Sequence, residues 1–208
     1  YDIGNIITKS IPFNFQEMSV LIRAIINEDV FGLEHYVDGE IASRTLHHSS
    51  EIEKIVDCVM NDFSDPTMRT RFLHSLGEIM VNAVFYGGRK ESGDRKHEWK
   101  LDVALRPEQQ IVVFWATDSE KAAVAVRDQS GKLTKQEVLY WLERNYTKDS
   151  NGMPIGLFDS HGKGIFIARQ CIDRCIINVK RNHMTEVVLI NYRSPSLKKN
   201  KPLWINEF

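Results

Sequence analysis

Glu78 and Asn82 stand four residues apart in a helical run, so their side chains leave the same side of the helix. A carboxylate and an amide one turn apart can divide a task. The amide oxygen ligates a hard cation such as Mg2+, and the carboxylate takes a proton from a nucleophile. A solvated helix-surface pair is the plain alternative. Asp128 lies in Arg127-Asp128-Gln129-Ser130-Gly131, where a strand meets a glycine-bearing turn. It is placed to accept a hydrogen bond from a ligand's amino group, with Gly131 letting the backbone come close. An ordinary Asx turn accounts for it equally. The third group is Gly162-Lys163-Gly164, opening a helix after a polar loop. Paired glycines there expose backbone N–H groups at the positive end of the helix, which suits phosphate. The run is neither a P-loop nor a full dinucleotide-binding turn.

The elements that must carry these residues follow from periodicity. Ile52, Ile55, Val56 and Val59 predict a helix to about residue 62, capped by Ser49 or Ser50. Pro66 opens a second helix reaching about residue 86, with Phe72, Leu73, Leu76, Ile79, Met80, Ala83 and Val84 as its stripe and Gly87-Gly88 as its stop. The period then changes to two. Strands are expected over 99–105, 111–117 and 122–127. A helix over 134–146 starts with Thr134 and Glu137 as a capping box. After a polar loop over 148–162, a helix over 165–172 precedes a hairpin of 175–180 and 186–191, and a tail bearing Lys198, Lys199 and Lys201 ends the chain. Helices and strands come in blocks. That predicts an α+β fold, a two-layer sandwich with helices packed on one face of a mixed β-sheet. Residues 1–48 are an N-terminal extension of open role, with an apolar helical spacing over 16–27; 49–194 form the main domain and 195–208 the tail.

Composition narrows the class. The 208 residues carry 27 Lys+Arg against 28 Asp+Glu, a net charge of −1, so no basic field marks a nucleic-acid binder. At 42% hydrophobic and 26% charged the chain is globular rather than disordered. No apolar run approaches the roughly 20 residues a membrane span needs. Cys58, Cys171 and Cys175 are odd in number and scattered, which argues against a disulfide framework and for a reducing cytoplasm. Cys171 and Cys175 lack partners for a tetrahedral metal set, and His47-His48 is read as a surface pair. The chain opens with Tyr1 and shows no signal-peptide pattern, so it is read as trimmed or as the C-terminal piece of a longer protein.

Taken in order, the three motifs resemble those of the Bergerat-fold (histidine-kinase-like) ATPases. The N box resembles Glu78-Ile79-Met80-Val81-Asn82-Ala83, the first glycine box Asp128 to Gly131, and the second Gly162-Lys163-Gly164-Ile165 running on to Arg169, with Thr185-Glu186-Val187 on the closing strand. The likeness covers about residues 52–192 and is nearest the anti-sigma-factor serine-kinase branch. It implies ATP and Mg2+ as cofactors. Asn82 would hold Mg2+ and Glu78 would be the general base. Asp128 would accept from the adenine amino group with Thr185 assisting through water, and Gly131 would give the base room. Gly162, Lys163 and Gly164 would hold the phosphates beneath a lid over 132–161. The activity implied is transfer of the ATP γ-phosphate to a Ser or Thr of a small antagonist protein, in the cytoplasm. The partner would be a sigma factor or an anti-anti-sigma-type antagonist, with no direct nucleic acid, no membrane span and homodimerisation left open. The chain departs from the family pattern at three places: Tyr86 stands for a frequent His, Ser130 and Lys132 for glycines, and Phe166 for a third Gly. Two alternatives stay open beside the kinase: a nucleotide-binding anti-sigma or scaffold module without turnover, and the ATPase domain of a larger two-component signalling protein.

Overall fold

A computed structural model of the chain describes residues 15, 18, 19, 22 and 26, and then 30–88, 103–158, 163–194 and 203–208. Those residues form an α+β fold with a six-stranded mixed sheet and four helices of two turns or more. In chain order these are β1 (Ala42–Leu46), α1 (Ile52–Asp62), α2 (Pro66–Asn82), β2 (Ile111–Thr117), β3 (Lys121–Asp128), α3 (Lys135–Tyr146), α4 (Lys163–Cys171), β4 (Arg174–Lys180), β5 (Met184–Tyr192) and β6 (Leu203–Glu207). The sheet order is β1-β2-β3-β5-β4-β6, antiparallel throughout except that β6 lies parallel to β4.

Local chemistry sets most of the boundaries. Asp65 caps α2, its Oδ1 accepting from the backbone N–H of Thr67 at 2.8 Å, while Pro66 takes the first helical position where its missing N–H costs nothing. At its far end α2 widens into a π turn over Ala83–Gly88. The Thr134–Glu137 capping box is present in both directions at 3.0 Å. The start of α1 differs from expectation. Ser49–Glu51 is a separate 3-10 turn capped by the His48 ring, and the Ser49 hydroxyl instead accepts from the N–H of Val103 at 2.8 Å. Of the strand expected over 99–105, residues 99–102 lie outside the described residues. Ala104 only bridges to His48.

Two cores sandwich the sheet. Phe72, Leu76, Ile79 and Met80 of α2, with Ile165 and Ala168 of α4, pack on the face carrying Val124, Val126, Val187 and Leu189. Alternate residues point the other way. That outer face, with Ala123, Ala125, Val188 and Trp204, is covered by Leu33, Tyr36 and Val37. So the described end of the N-terminal extension supplies edge strand β1 and a strap across the back of the sheet. The end of the tail expected over 195–208 is structured, while Lys198, Lys199 and Lys201 lie outside the described residues. Leu203–Glu207 is an edge strand with Leu203, Trp204, Ile205 and Asn206 buried, because alternating Leu203/Ile205 and Trp204/Asn206 feed one core each.

Candidate functional site

The open question is whether α2, the end of β3 and the start of α4 meet. Gly164 decides the first half. A Cβ built on it would lie 2.7 Å from Asn82 Nδ2 and 2.9 Å from Glu78 Oε2. The backbone of the first turn of α4 is therefore laid directly on the Glu78–Asn82 pair, an approach open to glycine alone. The N–H groups of that turn have no partner within the helix, and the positive end of the helix dipole falls at the same place.

Gly87 decides the second half. It sits in the π turn five residues beyond Asn82, and a Cβ there would come 2.5 Å from Asp128 Cγ. Five residues advance a helix by roughly 7 Å at about 1.5 Å each. The carboxylate–amide pair thus lies under α4 near the end of α2, and the contact with Asp128 follows about that far along, in the π turn. A π turn inside an α-helix is uncommon and often marks a functional position. Gly87 entered the sequence reading only as a helix stop. The spacing Glu78-x3-Asn82-x4-Gly87 contained the signal, but which strand it would touch did not follow from it.

Asp128 is 7% exposed. Its Oδ1 accepts from the backbone N–H of Ser130 at 2.8 Å and from the Ser130 hydroxyl at 2.6 Å, so the Asx turn weighed above is real and holds the carboxylate in place. Burial pushes this carboxyl above its ordinary value, and the Ser130 bonds counter part of that rise. Directly across the ladder stands Thr185, 3% exposed, on the same face because it is the paired residue. Its Oγ1 has no hydrogen-bond partner among the described residues. A buried hydroxyl without a partner costs on the order of 1–3 kcal/mol, which marks a place where something polar belongs.

The remaining candidates are placed differently. Gly131 adopts φ +58°, and a side chain there would run into the Lys180 carbonyl and the N–H groups of Asn182 and His183. The close approach it permits is to the β4–β5 turn, whose Asn182 N–H it accepts at 3.1 Å. Lys163 donates its ammonium to the Leu157 carbonyl at 2.6 Å, tying the start of α4 to the 3-10 turn Ile155–Phe158. His161 and Gly162 lie outside the described residues. Within the lid expected over 132–161, helix α3 is docked at both of its ends, and residues 159–161 lie outside the described residues. Phe166 meets Tyr146 edge-on with centroids 5.2 Å apart, and Glu207 accepts from the backbone N–H of Lys135 at 2.8 Å. Tyr86 is partly exposed, with burial raising its phenol above the usual value.

Among the described residues no cluster of three or more His, Cys, Asp or Glu forms a metal cage. A divalent cation here would rest on Asn82 and on oxygens of a ligand. Such a ligand-assisted site is how Mg2+ is commonly held. Cys175 is buried with its thiol pushed up to about 12, so it is inert as a thiolate. No described helix is long and apolar enough to cross a membrane. No protein-family model matches the chain, and no curated protein matches it.

Proposed function

We propose that the chain is an ATP-binding protein of the Bergerat type that transfers the γ-phosphate of ATP to a Ser or Thr hydroxyl of a small protein antagonist. The observation that carries this reading is the double contact along α2: Gly164 on Glu78 and Asn82, and Gly87 on Asp128. It supports the reading by bringing the start of α4 against the carboxylate–amide pair and the π turn against the Asp128 carboxylate, so that the three motifs are neighbours in space.

Asp128 accepts from the exocyclic amino group of adenine, and the unpartnered Thr185 hydroxyl supports a bridging water beside it. Asn82 gives its amide oxygen to Mg2+, and the first-turn N–H groups of α4 receive phosphate oxygens. When bound, Mg2+ neutralises charge on the phosphates. Glu78 accepts the proton of the attacking hydroxyl as its oxygen bonds to the γ-phosphorus. The bond from that phosphorus to the β,γ-bridging oxygen breaks and ADP leaves. Such a transfer asks the protein mainly for positioning and charge stabilisation. The acceptor protein would be a sigma-factor antagonist, and pairing with a second copy of the chain is compatible with this assignment. With labelled ATP and a hydroxyl-bearing antagonist, Glu78→Ala should abolish phosphoprotein while MgATP still binds by calorimetry. Asp128→Ala should lose binding itself. A wild type that binds no adenine nucleotide ends the proposal.

A second reading, nucleotide binding without turnover, is favoured by one feature. Lys163 spends its charge on the Leu157 carbonyl. MgATP binding with no transfer over hours would select it.

A further inference from the structure

The side chains assigned to base recognition have a matched pair directly behind them. In the β3–β5 ladder Asp128 faces Thr185, and the adjoining rung sets Arg127 against Glu186. Neighbouring rungs point to opposite faces. Asp128 and Thr185 therefore look toward the helices, while Arg127 and Glu186 look outward. Glu186 is fully buried there (0% exposed). Its Oε2 accepts from Arg127 Nε at 2.8 Å and Nη2 at 2.6 Å, and its Oε1 accepts from the backbone N–H of Gly32 at 3.0 Å.

Gly32 belongs to the strap over residues 30–37. It stands at φ +113°, which other residues rarely adopt, and that conformation aims its N–H at the carboxylate. The same strap is tied to Asn178 on β4, whose Nδ2 donates to the Val30 carbonyl at 2.7 Å and to the Tyr36 hydroxyl at 3.2 Å. Asn178 Oδ1 in turn accepts from Asn206 on β6 at 2.8 Å. A buried carboxylate is tolerable only when its oxygens are satisfied, and here the strap supplies one of the donors and excludes water from the rest. Lifting the strap would open Glu186 to water and leave the Arg127 pair as an exposed one, which is worth little. The rung beside it is the one that must hold Asp128 and Thr185 in register.

We infer that Glu186 is a positioning residue for base recognition and that docking of residues 30–37 on the back of the sheet raises affinity for adenine nucleotides. This rests on the nucleotide reading of the Asp128–Thr185 pair and adds a partner segment for it. Coupling between binding sites is reciprocal, so bound nucleotide must also tighten the strap.

The test uses the full chain with MgATP and with the Mg2+ complex of purine riboside triphosphate, which lacks the 6-amino group. Wild type should favour ATP. Gly32→Pro, which removes the N–H and forbids the backbone angle, should weaken ATP about tenfold, within the usual span of coupling. It should also erase the preference between the two nucleotides. Tyr36→Phe keeps the ring and removes one hydroxyl; it should shift both quantities the same way by a smaller factor, which covers the case of a poorly folding Pro variant. Amide exchange at residues 33–37 of the wild type should slow on saturation with MgATP. Equal affinity and preference in variants whose strap amides exchange freely overturns the inference, as does strap exchange in the wild type that ignores bound ATP. Failure of the wild type to bind either nucleotide has a different signature and removes the site reading itself.

Discussion

Thr185 is where the needs of folding and the needs of the site separate. Its hydroxyl is buried with no partner among the described residues, so Thr185→Val, which keeps the shape and removes the hydroxyl, should raise stability by about 1 kcal/mol in urea unfolding. The same change should lower affinity for ATP, because the bridging water loses its anchor. Asp128 poses the same opposition in its pH dependence. Burial holds its folded-state carboxyl above the 3.8 of the free side chain. The protonated form is therefore favoured by folding, and the stability tied to it is present below about pH 4 and lost as pH rises through the raised folded value. Asp128→Asn cannot ionise and can still accept from Ser130. Its thermal midpoint should exceed wild type at pH 7, with the gap closing as pH falls toward 4, while binding of ATP weakens. A wild type equally stable relative to the variant at both pH values would contradict this account.

At the scale of elements, the helix ends and sheet strands were largely legible because they rest on neighbours in the chain. Pro66 after Asp65, Thr134 before Glu137 and the apolar run over 111–117 are each complete within one element, and each is found where the sequence reading put it. The misreadings came where a distant partner took over a local signal. Ser49 offered a cap and was claimed by Val103, and the lysines before residue 203 masked a short strand. Phe166 is the element-scale residue with the clearest consequence. It occupies a helix position where a glycine was expected, and its ring docks the end of α3 on α4 through Tyr146. Phe166→Ala should cost about 1–2 kcal/mol, roughly half of a fully buried ring because the side chain is half-buried. It should also speed both amide exchange in α3 and release of bound nucleotide, read by stopped flow.

For the whole molecule, the decisive joint lies at the end of the sheet away from Asp128. Asp173 is buried and takes Arg71 of α2 through both nitrogens, at 2.8 Å from Nη1, and it also accepts from the backbone N–H of Tyr192 at 2.9 Å. Arg71 adds a bond to the Cys171 carbonyl at the end of α4 at 3.0 Å. One ion pair thus fastens α2, α4 and β5 together two helical turns from Glu78, fixing the angle at which α4 lands on Asn82. Asp173→Ala strands a guanidinium and an N–H and should cost about 3 kcal/mol in guanidinium unfolding, toward the lower end for a broken buried pair since Arg71 reaches solvent. Replacing both partners, Arg71→Met with Asp173→Leu, should recover part of that, because neither charge is then left without its opposite.

The amino-acid sequence by itself determined the element types, most of their boundaries and three polar groups out of keeping with the apolar stripes around them, since periodicity, caps and turn residues act within a few positions. Only the tertiary structure decided what those groups touch. That the π turn brings Gly87 onto Asp128, that α4 lies on Asn82 without an intervening side chain, and that residues 30–37 reach the back of the Asp128 rung all depend on register and crossing between segments tens of residues apart. Contacts of that range are selected by the joint packing of two cores on one sheet, and no short stretch of chain encodes them alone.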